Sequence, residues 1–371
     1  MSYSKLPIRT SSDTNASADI NQLSENISTI PFRNGVYSNA IINGDMRIAQ
    51  RGTSFAAVGS GDYTLDRWVY QKSGSMVHTI TQETDVPSST VYTNSIKLDC
   101  TTGVADVSIA ASDYTLLTQK IEGFNFSPYI KQSLTISFWV KMTRTGTYCV
   151  ALQNSSSNRS YIAEYTIDAS DTWEYKTISL THDQSGTWLT NNGIGTYLYF
   201  VVTAGSDFNA IADTWNGTND FSTSNQQNGV NSTDNDFYLT GVQMNLGSSA
   251  LDYSPRHYGD ELKLCQRYYE KSYDVLTSIG SNTTNGCWTT VAAKAGTNYN
   301  SNYFKVNKRS ASYTITQYNP TTGSSGVVRN YTQSNDASVS VDSAGEYSFV
   351  TSYSSNDGDI VGGHWTCDAE L

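Results

Sequence analysis

Residues Leu134-Thr-Ile-Ser-Phe-Trp-Val-Lys-Met142 alternate strictly between apolar and polar, the period of a strand with one buried face and one open face. Leu134, Ile136, Phe138, Val140 and Met142 fall on one side. Thr135, Ser137, Trp139 and Lys141 fall on the other. Trp173–Leu180 alternates less cleanly. Tyr197–Thr203 is a nearly continuous apolar run, which suits a strand buried on both faces. Phe237–Met244 reads as one more strand, and polar turn clusters near 155, 183 and 191 separate these runs. Many strands with no helices between them predict an antiparallel two-sheet sandwich. Composition agrees: Ser, Thr and Asn supply 124 of 371 residues and charged residues only 15%, which disfavours helical bundles and long coiled coils. Aromatic residues at 12% give ample core-forming area, so the chain is not a disordered one.

Three regions follow from the pattern. Residues 1–37 form an N-terminal attachment or oligomerisation segment. Within it Ala16, Ile20, Leu23, Ile27 and Ile30 are spaced as a heptad seam on a short helix that Pro31 stops. That stripe serves either a helix packed on its own domain or a seam between identical chains, and its mixed residues do not choose a trimer over a dimer. Residues 38–255 form the sandwich, with a long Asn/Ser/Thr/Gly loop at 216–235 of the kind that is functional or mobile. Residues 256–371 carry a linking helix over 259–272, its apolar stripe being Leu262, Cys265 and Tyr269, and then a small distal β domain. The strands expected there are 287–293, 303–306, 313–318, 327–331, 337–341, 347–353 and 364–369. No repeat of fixed period supports a solenoid.

Net charge is −11, with −9 on residues 34–255 and −2 on residues 256–371. That balance disfavours a nucleic-acid partner and anionic membranes. No apolar stretch is long enough to span a bilayer as a helix, and the first residues lack the apolar core of a signal peptide. Five scattered cysteines without a CxxC spacing are expected to be reduced and mostly buried. Four scattered histidines show no metal-ligand spacing, and no cofactor is expected. The glycosylation pattern Asn-x-Ser/Thr occurs nine times, close to chance for 30 Asn among 94 Ser and Thr, so it carries no information.

Three unrelated motifs recur in a known order. The first is Ile41-Ile-Asn-Gly-Asp-Met-Arg-Ile-Ala-Gln-Arg-Gly52 with Tyr63-Thr-Leu-Asp-Arg-Trp68. The second runs from Asp236-Phe-Tyr-Leu-Thr-Gly-Val-Gln-Met244 through Asp252-Tyr-Ser-Pro-Arg256 to Glu261-Leu-Lys-Leu-Cys-Gln-Arg-Tyr-Tyr-Glu270. The third joins Phe304-Lys-Val-Asn-Lys-Arg309 and Ile315-Thr-Gln-Tyr-Asn-Pro320 to His364-Trp-Thr-Cys-Asp-Ala-Glu-Leu371. Over residues 38–371 the chain resembles bacteriophage tail-fibre, or receptor-binding, proteins. The resemblance implies a jelly-roll sandwich like that of carbohydrate-binding modules, a distal tip, and a homotrimer on the virion made in a bacterial cytoplasm. It also implies a phage tail or adaptor protein as partner at the N-terminus and a bacterial surface glycan as ligand. The motifs themselves read as structural: Asn43-Gly44-Asp45 as a turn with Gly44 at positive φ, Asp66 and Arg67 as a hydrogen-bonded corner, Arg256 and Arg267 as partners of carboxylates at the sandwich-to-tip junction.

Sugar recognition needs flat rings beside short polar side chains. Trp188 and Trp215 stand in polar loops of the sandwich, and Tyr313 and Trp365 lie among Ser, Thr and Asn in the tip; these four are the candidate ligand residues. Trp139 and Trp173 are assigned to strands, as core or sheet-face residues. Hydrolysis would need two positioned carboxylates, and no catalytic signature picks a pair out of 34 acidic residues. A calcium site in the Asp/Asn-rich loops stays open. The resulting expectation is a non-enzymatic fibre protein that binds a host glycan. Its rivals are a structural collar, decoration or fibre-shaft protein without host contact, and a polysaccharide hydrolase.

Overall fold

Alternation along the chain builds twenty strands, β1–β20 in chain order, in the computed structural model, which describes residues 39–101 and 108–371. The expected N-terminal helix and its seam from Ala16 to Ile30 lie outside the described residues. One sandwich sheet runs β1 (Ser54–Phe55), β3 (His78–Glu83), β4 (Ser95–Cys100), β12 (Asp236–Leu246), β6 (Ser133–Met142), β9 (Glu174–Thr181). The facing sheet runs β11 (Trp215–Asn216), β8 (Ser160–Ile167), β7 (Gly146–Gln153), β10 (Ile194–Ala204), β5 (Tyr114–Glu122), β2 (Trp68–Ser73). The fold class is the expected antiparallel jelly-roll sandwich, followed by a linking helix and a C-terminal β sheet. Phe138, Val140 and Met142 of β6 are buried against Leu198, Phe200 and Val202 of β10. The Phe138 and Phe200 rings meet edge to face at 5.0 Å between centroids.

Beyond β12 the helix Tyr258–Gln266 leads into β13 (Tyr269–Lys271). The predicted helix ran to residue 272; it ends earlier because Tyr269–Lys271 is claimed as a strand by Asp368–Thr366. The stripe is therefore completed by Tyr268, buried with Cys265 and packed by Leu262, rather than by Tyr269. The remaining strands are β14 (Trp288–Val291), β15 (Gly296–Tyr303), β16 (Thr314–Tyr318), β17 (Val327–Asn330), β18 (Asn335–Ala344), β19 (Ser348–Ser355) and β20 (Ile360–Asp368). β20 is the organiser, since β13, β14, β16 and β17 all pair with it. The strand expected at 303–306 lies one element earlier, where Thr297–Tyr303 pairs along β19. None of the five cysteines is in a disulfide.

Residues 39–371 make one unit, and its sandwich and C-terminal sheet meet through buried polar groups. Asn43 takes φ +57 and serves as a hub. Its Nδ2 donates to the Ile48 and Asp66 carbonyls, and its own carbonyl accepts from the Trp68 indole. The backbone of Asn43 and the Arg256 guanidinium both donate to Glu261 at the head of the linking helix. Asp66 accepts from the backbone and side chain of Gln50, which also donates to the Tyr269 carbonyl. Glu122 accepts from Arg267 at 2.7 Å and from the Tyr268 hydroxyl at 2.6 Å. The chain end closes the set: Glu370 is paired with Arg67 and Arg51, and Arg67 lies 3.5 Å over the Tyr268 ring. The positive φ of the Asn43-Gly44-Asp45 turn falls on Asn43, not on Gly44. Gly44 is required instead by space, because a Cβ there would stand 2.1 Å from the Val242 carbonyl oxygen.

Two predictions test this packing. Lys308 and Glu270 form a pair at 2.6 Å with both side chains fully buried. Removing one partner leaves an uncompensated buried charge, so Lys308→Ala should cost about 3–5 kcal/mol in urea unfolding. His78 is buried under the Tyr70 hydroxyl at 2.6 Å, and burial pushes its pKa down to about 4. The unfolded chain therefore binds more protons than the folded one between pH 6.5 and 4, and stability falls as pH drops through that window. The loss attributable to His78 should reach about 3 kcal/mol at pH 4. Unfolding curves at pH 7 and pH 4 should show that much less pH dependence for His78→Phe than for the parent.

Candidate functional site

The outer faces of the two sandwich sheets are treated differently by the chain. On the sheet containing β10, outward Leu116, Cys149, Ala151, Ile162, Tyr199 and Val201 are buried in a second small core. Phe208 and Phe221 cover it, stacked on each other at 4.4 Å and meeting Tyr114 and Tyr199. The long polar loop is part of this cover. Asn219 accepts from Gln153, Thr223 donates to Glu164, and the Gln227 backbone donates to the Thr147 carbonyl. The loop expected to be functional or mobile is thus a structural lining.

The sheet containing β6 is covered in part by residues 247–253: Thr135 donates to the Gly247 carbonyl, Ser179 to the Ser248 carbonyl and Gln243 to the Leu251 carbonyl, and Thr135, Ser137 and Gln243 are buried, while the rest of the face displays rings. Trp139 of β6 lies opposite Tyr175 of β9, their centroids 5.4 Å apart, and Tyr175 is 44% exposed. Across the sheet the line continues with Tyr92, which meets Tyr253 edge to face at 4.9 Å. Tyr92 lies against Gly241, where φ is +62 and a Cβ would come within 2.5 Å of the ring. A second row holds Trp173 and Tyr238, 6.1 Å apart, with the Lys141 ammonium 3.9 Å from the Tyr238 centroid. Below the rings, β9 exposes the hydroxyls of Thr177, Ser179 and Thr181.

The charges on this face are paired within it. Lys141 binds Asp85, which also accepts from the Trp173 indole at 2.9 Å. Burial works against ionisation of Asp85, but these two donors outweigh it and hold its carboxyl below the usual range. Lys97 bonds Asp236 at 3.0 Å; burial nonetheless raises the Asp236 pKa. The face is therefore aromatic, rich in hydroxyls and locally neutralised. That chemistry suits the C–H faces and hydroxyls of a sugar.

The four residues chosen from the sequence are not brought together. Trp188 is only 8% exposed, its ring set among His182 at 4.3 Å, Trp215 at 5.3 Å and Phe126 at 6.0 Å. It offers no open face and is a packing residue. Trp215 is half-buried, its indole donating to the Thr181 carbonyl at 2.9 Å and its ring set between Tyr161 and Trp188. Trp365 is 6% exposed, packed on Phe304 and Phe349 in the core of the C-terminal sheet. Tyr313 packs on Phe304, and its hydroxyl donates to the Gly345 carbonyl at 2.9 Å. On the β6 sheet the rings on the outer face are Trp139 and Tyr238, half-buried at the polar parity of their strands, and their neighbours Tyr175 and Trp173.

A cavity of about 440 Å³ opens beside Arg51, Asp62, Tyr63 and Asp368, but Arg51 is already paired with Asp368 and Glu370. Among the described residues, no three His, Cys, Asp or Glu side chains gather as metal ligands.

No family model matches the chain, and no curated protein matches it by sequence. Solved structures do. Tailspike protein 4 of bacteriophage CBA120, in its enzymatically active domain, aligns with 57% of this chain at 15% identity and a TM-score of 0.31; the alignment spans 22% of the tailspike chain. A protein of Bacteroides thetaiotaomicron VPI-5482 aligns with 56% of this chain and all of its own length at 11% identity and a TM-score of 0.31. A CBM4 structure aligns with 55% of this chain and 98% of its own at 14% identity and a TM-score of 0.30.

Proposed function

We propose that this chain is a non-catalytic, glycan-binding component of a bacteriophage tail fibre, with the outer face of the β6 sheet as its sugar-binding surface. One observation carries the reading: beside the part of the β6 sheet that residues 247–253 cover, Trp139, Tyr175, Trp173 and Tyr238 gather on the outer face, Tyr175 exposed and the other three half-buried. Rings on an open sheet lose hydrophobic stabilisation that burial would provide, so their exposure calls for a ligand. A flat, shallow face binds a chain of sugars weakly at each site, and several copies on one particle multiply the effect. The tail-fibre assignment rests on the motifs spread over residues 41–371. In this reading the N-terminal segment attaches the protein to the virion and helps to assemble a homotrimer, and the ligand is a bacterial surface glycan.

The tests follow the surfaces. Trp139→Ala and Tyr175→Ala should each weaken adsorption to host cells or to their surface polysaccharide by about 1–3 kcal/mol, the size of a stacking contact. Trp188→Ala should act mainly on folding, lowering the unfolding midpoint. Unchanged adsorption in a Trp139→Ala/Tyr175→Ala chain would remove the β6 face from the account, and a parent chain that adsorbs to neither cells nor polysaccharide would leave the structural collar or shaft reading in its place. Released oligosaccharide would make the protein a hydrolase. Native mass spectrometry should give a trimer for the full chain; a monomer at micromolar concentration removes the seam from the account.

A further inference from the structure

The C-terminal sheet displays a surface that the sandwich face does not explain. Its last strand, β15, pairs with β19 alone and reads Gly-Thr-Asn-Tyr-Asn-Ser-Asn-Tyr. The two sides of this strand do different work. Inward, Asn302 Nδ2 donates to Thr351 Oγ1 at 2.8 Å, and the same oxygen accepts from Gln317 Nε2 at 2.8 Å. Asn298 donates to the Lys294 carbonyl at 2.8 Å, and its Oδ1 accepts from the Ala293 backbone at 3.0 Å. This buried amide ladder pins the register, because a slip of one residue would strand both amides in solvent and bury the tyrosines.

Outward, Tyr299 is 62% exposed and Tyr303 is 74% exposed. Four residues apart on a strand, they are spaced by about 13 Å. Register places Ser352 opposite Tyr299 and Ser348 opposite Tyr303, and Ser340 of β18 lies next to Ser352. Tyr347, 66% exposed in the turn between β18 and β19, is tied to the end of β15 by the Phe304 N–H to Tyr347 carbonyl bond. None of these outward residues is charged, in a chain of net charge −11.

We propose that this Tyr/Ser face is a second carbohydrate-binding surface, one that takes uncharged glycans. Rigidly spaced phenol rings cover sugar C–H faces, and a carpet of serine hydroxyls both donates to and accepts from sugar hydroxyls. An acidic polysaccharide would find no cation among these residues.

The experiment separates this surface from the sandwich face. The full chain carrying Trp139→Ala and Tyr175→Ala is run through native gels containing a neutral glucan, galactan or mannan, with alginate as the acidic probe. At least one neutral polysaccharide should still retard it, and alginate should not. Adding Tyr299→Ala and Tyr303→Ala should abolish that retardation while leaving the melting temperature unchanged, since both rings are exposed. In the otherwise unmutated chain, Tyr299→Ala/Tyr303→Ala should raise the dissociation constant for the same polysaccharide by roughly tenfold or more. The proposal is overturned if no neutral polysaccharide retards the sandwich variant, if retardation survives loss of both tyrosines, or if alginate retards it equally.

Discussion

The pairing of the chain's last acidic side chain with two arginines from its first motif holds the rest of the structure in place. Glu370 and Arg67 are both almost fully buried, an arrangement that is costly to desolvate. It is tolerated because both carboxylate oxygens of Glu370 and both terminal nitrogens of Arg67 have partners. Arg67 also donates to the Lys120 carbonyl and lies over Tyr268, while Arg51 shares Glu370 and reaches Asp368. Such a network adds less to net stability than a hydrophobic patch of equal size would, but it accepts only one docking geometry. The C-terminal sheet is thereby fixed to the sandwich by directional bonds.

This junction explains the sequence motifs. Asn43, Gln50, Arg51, Asp66 and Arg67 come from the first, Arg256, Glu261 and Arg267 from the second, and Lys308, Asp368 and Glu370 from the third. All of them take part in one contact between two β units. The resemblance to tail-fibre proteins therefore resides in how the halves are joined and says nothing about what they bind. Of the rings on the two aromatic faces, Trp139, Trp173, Tyr175, Tyr299 and Tyr303 lie outside the motifs, whereas Tyr238 belongs to the second.

Much of the architecture was legible because alternation is a local signal. The β6 strand, the apolar run of β10 and most C-terminal strands fall where the pattern places them. The end of the linking helix was not legible, because Tyr269–Lys271 pairs with residues about a hundred positions away. The exposure of the candidate rings was not legible for a similar reason. Trp188 has polar neighbours in sequence, yet its burial is set by Phe126 and His182, which reach it from elsewhere in the chain. The same holds for Trp365, whose neighbours Phe304 and Phe349 lie on other elements. A polar setting in sequence is weak information about exposure when a ring is large enough to touch several elements at once.

Parity within a strand carries more. A strand buried on both faces reads as a continuous apolar run, and Tyr197–Thr203 lies in the sheet that the Phe208 and Phe221 cover closes. Leu134–Met142 alternates instead, and its polar side is only partly open: Trp139 is half-buried, while Thr135 and Ser137 are buried. In the alternating strand every ring at an inward position is accounted for by the core. A ring at an outward position is not, so Trp139 among Thr135, Ser137 and Lys141 is the residue that folding alone does not require there. Tyr238 on β12, and Tyr299 and Tyr303 on β15, satisfy the same test. All sit at positions where the strand's own neighbours are polar. The pattern that specifies the sandwich therefore also marks, by its exceptions, the surfaces on which this protein has aromatic side chains free to meet something else.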